Sequence, residues 1–192
     1  MKDVMIASGN SNKVKEYKEI LEPLGYVVHD LKETKHLQVE ETGATFGENA
    51  LIKAESLKDI YDMIVIADDS GLEIEALDNQ PGIHSARFLE GYDYKQKNQI
   101  ILELMKDKTN RKARFVCAIA LIDDQRHIFE GVMEGSIAYE AKGENGFGYD
   151  PIFMTKEYGL TNGQLTSQQK NEISHRGKAT KLLLEYLKGK NK

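Results

Sequence analysis

Segments with the pattern of strands and segments with the pattern of helices alternate along the first third of the chain. The strand pattern covers residues 4–7 and 26–28 and returns before residue 68, and the helix pattern covers residues 13–21 and 45–60. Thr45, followed three residues later by Glu48, predicts a capping box at the start of the second helix. Such alternation favours an α/β fold, because each helix must bury its apolar face on a sheet.

The rest of the chain adds a hairpin and two helices. We expect strands over residues 114–122 and 127–132 and helices over residues 94–105 and 174–187. The two strands flank residues 123–125 like the arms of an antiparallel hairpin, so the predicted sheet is mixed. At 192 residues, the chain is predicted to be a single domain, residues 1–192, that contains a cleft.

Charge and cysteine content restrict the classes of partner. A formal net charge of −5 argues against a nucleic-acid partner, although a local basic pocket for a small anion stays open. Cys117 is the only cysteine, which excludes disulfide scaffolds and thiolate zinc sites. No run approaches the ~20 apolar residues that span a bilayer. Because the start also has no charged leader ahead of an apolar segment, we expect a cytoplasmic protein without a membrane partner.

Two adjacent carboxylates follow an apolar run in residues 64–72, Ile-Val-Ile-Ala-Asp-Asp-Ser-Gly-Leu. We expect the strand to end in a turn at Gly71 and to place Asp68 and Asp69 on opposite faces. A carboxylate at such a point suits a hard metal ion or an attacking water. An isolated copy of this motif is more often only a solvated loop, so its meaning depends on the other motifs.

A second motif, Ser8-Gly9-Asn10-Ser11-Asn12-Lys13, follows the first strand and opens the first helix. Free backbone N–H groups and the positive end of the helix dipole bind phosphate at such a turn, and Lys13 adds a charge. The spacing differs from that of a Walker loop. Taken alone, the motif is equally compatible with a plain capped helix start.

Acidic and basic residues around the second helix complete a possible phosphate site. Glu40 and Glu41 precede the helix and offer a carboxylate beside that of Asp69, as a Mg²⁺ site requires. Lys53 lies on the same helical face as Asn49 and is placed to point toward a triphosphate. The alternatives are a solvated acidic turn and a lysine that faces water.

Two later motifs offer groups suited to a nucleobase. Residues 146–151, Gly-Phe-Gly-Tyr-Asp-Pro, present aromatic rings on a flexible loop, and Phe147 fits a stacking role better than Tyr149, which suits a core edge. Residues 170–176, Lys-Asn-Glu-Ile-Ser-His-Arg, lead into the final helix with Ser174 as the expected N-cap. Cations at a helix N-terminus oppose the dipole and therefore suggest a bound electron-rich group.

These motifs occur in one order along the chain: Ser-Gly-Asn-x-x-Lys, Glu-Glu-Thr-Gly-x-Thr-Phe, Ala-Asp-Asp-Ser-Gly-Leu, Pro-Gly-x-x-Ser-Ala-Arg, Gly-Phe-Gly-Tyr-Asp-Pro and Ser-His-Arg. The set resembles the inosine triphosphate pyrophosphatase family, the XTP/dITP diphosphatases, over residues 4–187. The resemblance implies a two-lobed α/β homodimer, with a mixed sheet flanked by helices and the active site in the cleft between the lobes. It also implies hydrolysis of ITP, dITP and XTP to the monophosphate and pyrophosphate, with Mg²⁺ as cofactor, which removes deaminated purines from the nucleotide pool.

The same resemblance assigns roles to residues of this chain. Asp69 is expected to act as general base and metal ligand, with Glu40 as the second metal ligand and Glu41 as the alternative. The expected phosphate and sugar contacts are Ser8, Gly9, Asn10, Ser11, Asn12, Lys13, Lys53 and Ser70. The expected base pocket consists of Phe147, Gly148, Tyr149, Asp150, Lys170, His175 and Arg176.

The chemistry of these side chains bears on the choice of base. Arg176 is donor-only, so it satisfies the 6-oxo group of hypoxanthine or xanthine but opposes the 6-amino group of adenine. Guanine must be rejected at its 2-amino group, and Lys170 or a backbone N–H is the expected cause. The competing hypotheses are an enzyme for modified pyrimidine triphosphates and a non-catalytic nucleotide sensor. Residues 159–164 depart from the family pattern, as do Gly47 and His84.

Overall fold

The computed structural model describes residues 2–31 and 39–190, and of Asn12 it describes the backbone alone. The strands in these ranges are β1 Lys2–Ile6, β2 Tyr26–Asp30, β3 Ile64–Ile74, β4 Gln80–Pro81, β5 Lys112–Ile122, β6 Arg126–Ile137 and β7 Phe153–Thr155. The helices are α1 Ser11–Leu21, α2 Phe46–Lys58, α3 Tyr94–Leu104, α4 Ser167–Ile173 and α5 His175–Lys190, with short 3₁₀ turns between elements. No helix in this part of the chain is long and apolar enough to cross a membrane.

The strands form one seven-stranded sheet in the order β2-β1-β3-β5-β6-β7, with β4 paired to β3. β1 runs parallel to both neighbours, and its residue Ile6 lies opposite Asp30 of β2 and Ile66 of β3. β4 is antiparallel to β3, and β7 is antiparallel to β6. The prediction of an α/β fold with a mixed sheet is therefore confirmed.

The chain divides into two compact units, with the boundaries inside β3, β5 and β6. The first unit comprises Met1–Asp69 and Ala118–Phe129. Its core packs one face of α2 on the sheet through Met5, Ala50, Ala54, Leu57, Val65 and Ala67, all buried. Because Ala50 and Ala54 are small and one helical turn apart, α2 approaches the strands closely, and its polar residues Asn49 and Lys53 reach Asp69 of β3.

The second unit comprises Ser70–Cys117 and Glu130–Lys192. Its core contains Leu72, Ile74, Ile101, Met105, Phe115, Met133, Tyr149 and Phe153. The ring of Phe115 packs against that of Phe153, with their centroids 4.6 Å apart. This core holds α3 and the loop around Tyr149 on the sheet.

The predicted turn at Gly71 is absent, because β3 continues from Ile64 to Ile74. Leu72 and Ile74 are fully buried in the core of the second unit, and Ile74 pairs with Gln80 of β4. Core packing and ladder pairing thus keep the backbone extended where glycine suggested a break. The prediction that Asp68 and Asp69 end a strand was wrong, since both lie within one.

Helix starts differ from the prediction in two places. The first helix begins at Ser11 rather than at residue 13, because the side-chain oxygen of Asn10 accepts a bond from Lys13 N, at 3.4 Å, and caps the helix. Thr45 caps α2 as expected, but Glu48 Oε2 accepts from the N–H of Ala44, at 2.6 Å, so the reciprocal bond reaches one residue before the cap.

Helix α4 was not predicted from the sequence. Its residues, Ser-Gln-Gln-Lys-Asn-Glu-Ile, carry no apolar periodicity, and a capping box of Thr166 with Gln169 defines its start. Ser174 follows as the predicted cap of α5, since its Oγ accepts from the N–H of Gly177, at 3.0 Å.

Candidate active site

The two consecutive aspartates of β3 bind lysines from two different helices. The Asp68 carboxylate is fully buried, and its Oδ2 lies 2.7 Å from Nζ of Lys13 in α1. The Asp69 Oδ1 lies 3.2 Å from Nζ of Lys53 in α2. Successive side chains of a strand point to opposite faces, so one dipeptide organises two cationic side chains.

Asp69 belongs to a buried cluster in the first unit. Lys53 Nζ also donates to Glu41 Oε1, at 2.8 Å, and therefore bridges the two carboxylates. Asn49 Nδ2 donates to the other oxygen of Asp69, at 3.4 Å. Asn49 and Lys53 are one helical turn apart on α2, as predicted, and both contact Asp69.

Electrostatics in this cluster favour a bound cation. Burial raises the pKa of the Asp69 carboxyl above its ordinary value, Lys53 opposes the rise, and the charge of Glu41 adds to it. Burial disfavours the charge of Lys53, but the carboxylates of Asp69 and Glu41 outweigh this effect and raise its pKa. Two carboxylates that share one ammonium form a hard oxygen donor set, which is the chemistry that suits Mg²⁺ or a closely similar ion.

Gly43 explains how the segment before α2 reaches this cluster. Its N–H donates to Asn49 Oδ1, at 2.8 Å, which leaves the Asn49 NH₂ group to face Asp69. A Cβ at position 43 would lie 2.6 Å from Glu48 Cβ and 2.8 Å from Asn49 Oδ1, so no larger residue fits without movement. The glycine of the Glu-Glu-Thr-Gly motif is thus a steric requirement of the site.

The Ser8–Lys13 motif lies at the same edge of the sheet as the aspartates. Ala7 N donates to Ile66 O, at 2.7 Å, and the parallel register brings the residues after β1 beside those after Ile66. Asn10 N donates to Ser8 Oγ, at 3.2 Å, and this bond shapes the turn into α1. Gly9 is exposed, and a Cβ there would meet nothing within 4 Å, so the turn is open to a ligand. The side chain of Asn12, predicted to bind phosphate, lies outside the described part of the chain.

A second polar cluster lies in the second unit around Asp150. Its Oδ2 lies 2.6 Å from Lys170 Nζ and 2.7 Å from Phe147 N, and its Oδ1 accepts from Asn162 Nδ2, at 3.1 Å. The Lys170 ammonium lies 4.9 Å from the centroid of the Phe147 ring. That ring is 41% exposed, as a stacking platform requires.

The loop that carries this cluster is held from several sides. Asn98 Nδ2 of α3 donates to Gly148 O, at 3.0 Å. Gly146 has a φ of 76°, and a Cβ there would collide with the Asp150 carboxylate. Tyr149 is buried in the core, with its hydroxyl donating to Ser85 O at 2.8 Å, so its ring is not a ligand platform.

The start of α5 places His175 and Arg176 in different surroundings. The His175 ring stacks on Phe115, with the centroids 4.8 Å apart, and is 7% exposed. Arg176 Nη2 donates to Ser70 Oγ, at 3.2 Å. The predicted sugar contact, Ser70, is therefore a partner of the predicted base contact, Arg176.

The structure brings some of the predicted site residues together. Asp69 and Lys53 lie in the first cluster, Asp150 and Lys170 lie in the second, and Arg176 contacts Ser70. Glu40 is exposed, whereas its neighbour Glu41 bridges to Asp69 through Lys53. Asn162, which no sequence motif marks, also contacts Asp150. In the described ranges, no group of three or more His, Cys, Asp and Glu side chains is placed to hold a metal ion.

Comparison with known proteins places the chain among close relatives. The model of the Ham1 family matches residues 4–186. A dITP/XTP pyrophosphatase of Bacillus subtilis (strain 168) is 47% identical over 193 residues, covering 97% of this chain and 98% of the relative. A dITP/XTP pyrophosphatase of Clostridium tetani is 45% identical over 195 residues, covering 98% and 97%.

Solved structures agree with the sequence matches. The Ham1 protein of Staphylococcus aureus superposes with a TM-score of 0.92 at 41% identity, covering 98% of this chain and 100% of that one. A HAM1 protein of Coxiella burnetii gives a TM-score of 0.93 at 40% identity, with the same coverage.

Proposed function

The chain belongs to the Ham1 family, and we propose on this premise that it hydrolyses dITP, ITP and XTP to the nucleoside monophosphate and pyrophosphate. The family resemblance found in the sequence is thus confirmed, and the activity follows that in the names of the curated relatives. The observation that carries the proposal is the buried cluster in which Lys53 bridges Asp69 and Glu41. A nucleotide sensor has no need of a carboxylate held in this way, because binding requires no positioned water.

Asp69 is the general base of this reaction. Burial raises the pKa of its carboxyl, which makes the carboxylate a better proton acceptor than an exposed aspartate. A water bound to Asp69 attacks the α-phosphorus and passes its proton to the carboxylate as the new P–O bond forms. The bond from the α-phosphorus to the bridging oxygen breaks, and pyrophosphate leaves with that oxygen.

Mg²⁺ is the proposed cofactor, and the donor set of the first cluster fits it. We assign Asp69 and Glu41 as ligands, with Glu41 in place of Glu40, because Glu41 shares Lys53 with Asp69 and Glu40 is exposed. Two carboxylates leave the remaining positions to waters and phosphate oxygens, as Mg²⁺ prefers. When bound, the ion supplies positive charge that stabilises the negative charge developing on the phosphates.

The residues at the start of α1 bind the triphosphate. Ser8, Gly9, Asn10 and Ser11 form an exposed turn at a helix N-terminus, and their backbone N–H groups suit phosphate oxygens. Lys13 adds its charge while Asp68 holds its ammonium in place, at 2.7 Å. Lys53 is positioned to neutralise a phosphate oxygen in the same way.

The second cluster recognises the base. Phe147 offers its exposed ring for stacking, and the donor-only groups of Arg176 and Lys170 select bases with oxygen substituents. Adenine presents its 6-amino group to a donor and is rejected. Guanine carries the same 6-oxo group as hypoxanthine and xanthine, so its rejection is assigned to Lys170. The ammonium of Lys170 can donate to the 2-oxo group of xanthine, but it faces another donor in the 2-amino group of guanine. His175, Gly148 and Tyr149 support this pocket through packing and backbone contacts.

A cytoplasmic homodimer is the proposed form of the enzyme. Free nucleotides are small-molecule substrates of the cytoplasm, and no nucleic acid or membrane is required. Sedimentation of the purified protein measures the oligomeric state.

Pyrophosphate release from a panel of dITP, XTP, dGTP, ATP and dUTP, with and without Mg²⁺, tests the proposed activity. Release confined mainly to dITP and XTP and dependent on Mg²⁺ supports it. Preferred turnover of dUTP favours the pyrimidine enzyme instead, and binding of dITP without turnover favours the sensor.

A further inference from the structure

The Asp150 carboxylate connects the groups that contact the base. It is 3% exposed and accepts from three donors, two of which, Lys170 Nζ and Phe147 N, use the same oxygen. The other oxygen accepts from Asn162 Nδ2, at 3.1 Å. The orientation of the carboxylate, and with it the position of the Lys170 ammonium, therefore depends on Asn162.

Asn162 is fully buried, and its surroundings do not explain an amide by packing alone. Its Nδ2 lies 3.9 Å from the Met133 sulfur, which is a weak acceptor, and its strong contact is with Asp150. Within the described part of the chain, the Asn162 Oδ1 is buried without a hydrogen-bond partner. An unsatisfied buried oxygen is costly, and the bond from Nδ2 to the Asp150 carboxylate offsets that cost.

The backbone at Asn162 is fixed independently of this bond. A short turn, Asn162–Gln164, is closed by Gln164 Oε1, which accepts from Thr161 N at 3.1 Å, and Thr161 Oγ1 donates to Lys142 O at 2.7 Å. A Cβ on Gly163 would lie 2.6 Å from Lys142 O, so the turn packs closely on the preceding loop. The amide of Asn162 is thus presented to Asp150 from a rigid support.

We propose that Asn162 is a positioning residue for base selection, acting through Asp150 on Lys170. This inference rests on the proposed function, in which the Lys170 ammonium opposes the 2-amino group of guanine. Rejection of the guanine 2-amino group requires that the Lys170 ammonium stay in place. A mobile ammonium could move away from the 2-amino group and so relieve the repulsion between the two donors.

Asn162→Leu replaces the amide by an apolar side chain with the same branching, and the measurement is kcat/KM for dITP and for dGTP by pyrophosphate release. We expect the ratio of dITP to dGTP to fall by about fivefold or more, mainly through faster use of dGTP. Gln164→Ala is the matched control, because Gln164 stabilises the same turn but does not contact Asp150. It is expected to keep the wild-type ratio.

An unchanged ratio in Asn162→Leu, or an equal fall in Gln164→Ala, overturns the inference. If Asn162→Leu does not give a folded protein by circular dichroism, Asn162→Ala, which removes the same bond, replaces it under the same criteria. A wild-type enzyme that already uses dGTP as well as dITP contradicts the proposed function itself. If the wild-type enzyme prefers dITP and the Asn162 variant keeps the same ratio of dITP to dGTP, only the role of Asn162 is contradicted.

Discussion

The ammonium of Lys13 lies 2.7 Å from the carboxylate of Asp68, and the two side chains are 15% and 0% exposed. A charge that is fully buried is tolerated only when it is paired, because water no longer solvates it. Lys13 therefore stabilises the fold of the first unit, in addition to the phosphate-binding role proposed for it.

Lys13→Met is expected to lower the free energy of unfolding by about 3 kcal/mol, since it leaves Asp68 buried opposite an apolar chain. Urea denaturation measures the change. Lys15→Met is the matched control on the same helix, because the pair of Lys15 with Glu19 is 3.8 Å apart and both side chains are largely exposed. The control should change stability by less than about 0.5 kcal/mol. Equal losses of unfolding free energy in the two variants would show that the buried pair of Lys13 and Asp68 stabilises the fold no more than the exposed pair does.

Asp69→Asn is expected to lower turnover of dITP about a thousandfold while largely preserving nucleotide binding, because the amide keeps the shape of the side chain but accepts no proton. The rate of pyrophosphate release gives the turnover, and isothermal titration calorimetry gives the affinity for dITP.

Asp62→Asn provides the control for this charge removal, since the Asp62 side chain is fully exposed in the same unit. It should turn over dITP at the wild-type rate. Turnover by Asp69→Asn at a similar rate would exclude Asp69 as the base.

The sequence predicted those helices and strands whose apolar residues recur at regular spacing within the element itself. Helix α3 and strand β5 lie close to their predicted ranges, and β6 begins close to its predicted start but continues five residues past residue 132, to Ile137. The course of β3 past Gly71 was mispredicted, because it depends on the burial of Leu72 and Ile74 in a core whose other members are distant in sequence. Local turn chemistry at Gly71 is weaker than that packing.

The candidate site shows the same division. Asp69 and Lys170 were candidates from the sequence because their neighbours in sequence are distinctive. The proposed choice of Glu41 over Glu40 rests on which of the two side chains contacts Lys53, twelve residues from Glu41, and two adjacent glutamates in a sequence do not indicate this. Asn162 lies in a turn without a motif, so only its contact with Asp150 reveals it.

Glu41→Gln is expected to raise the Mg²⁺ concentration for half-maximal activity about tenfold or more, because it removes one of two proposed ligand charges. Calorimetric titration with Mg²⁺ alone gives a readout that is independent of turnover. Glu40→Gln is the control, since Glu40 is adjacent but exposed, and it should shift the requirement less than about twofold. A large shift in Glu40→Gln together with a small one in Glu41→Gln would exchange the two assignments.

Arg176→Ala is expected to lower kcat/KM for dITP about a hundredfold and kcat/KM for the poor substrate dGTP by a much smaller factor. In the wild type, Arg176 Nη2 donates to Ser70 Oγ, at 3.2 Å, which orients the guanidinium. Because dGTP is already opposed at its 2-position, its transition state gains less from an optimally placed arginine.

The matched control for Arg176 is Arg114→Ala, which removes a guanidinium of the same unit whose Nε lies 2.6 Å from Glu73 Oε2. That side chain is half exposed, so its loss should leave both rates unchanged. Equal losses on dITP and dGTP in Arg176→Ala would remove Arg176 from base recognition. Ser70→Ala removes the oxygen that accepts from Arg176 Nη2, so it should reproduce the same selective loss at smaller size. A uniform loss on both substrates would instead identify Ser70 as a direct contact of the sugar or phosphates, as the sequence predicts.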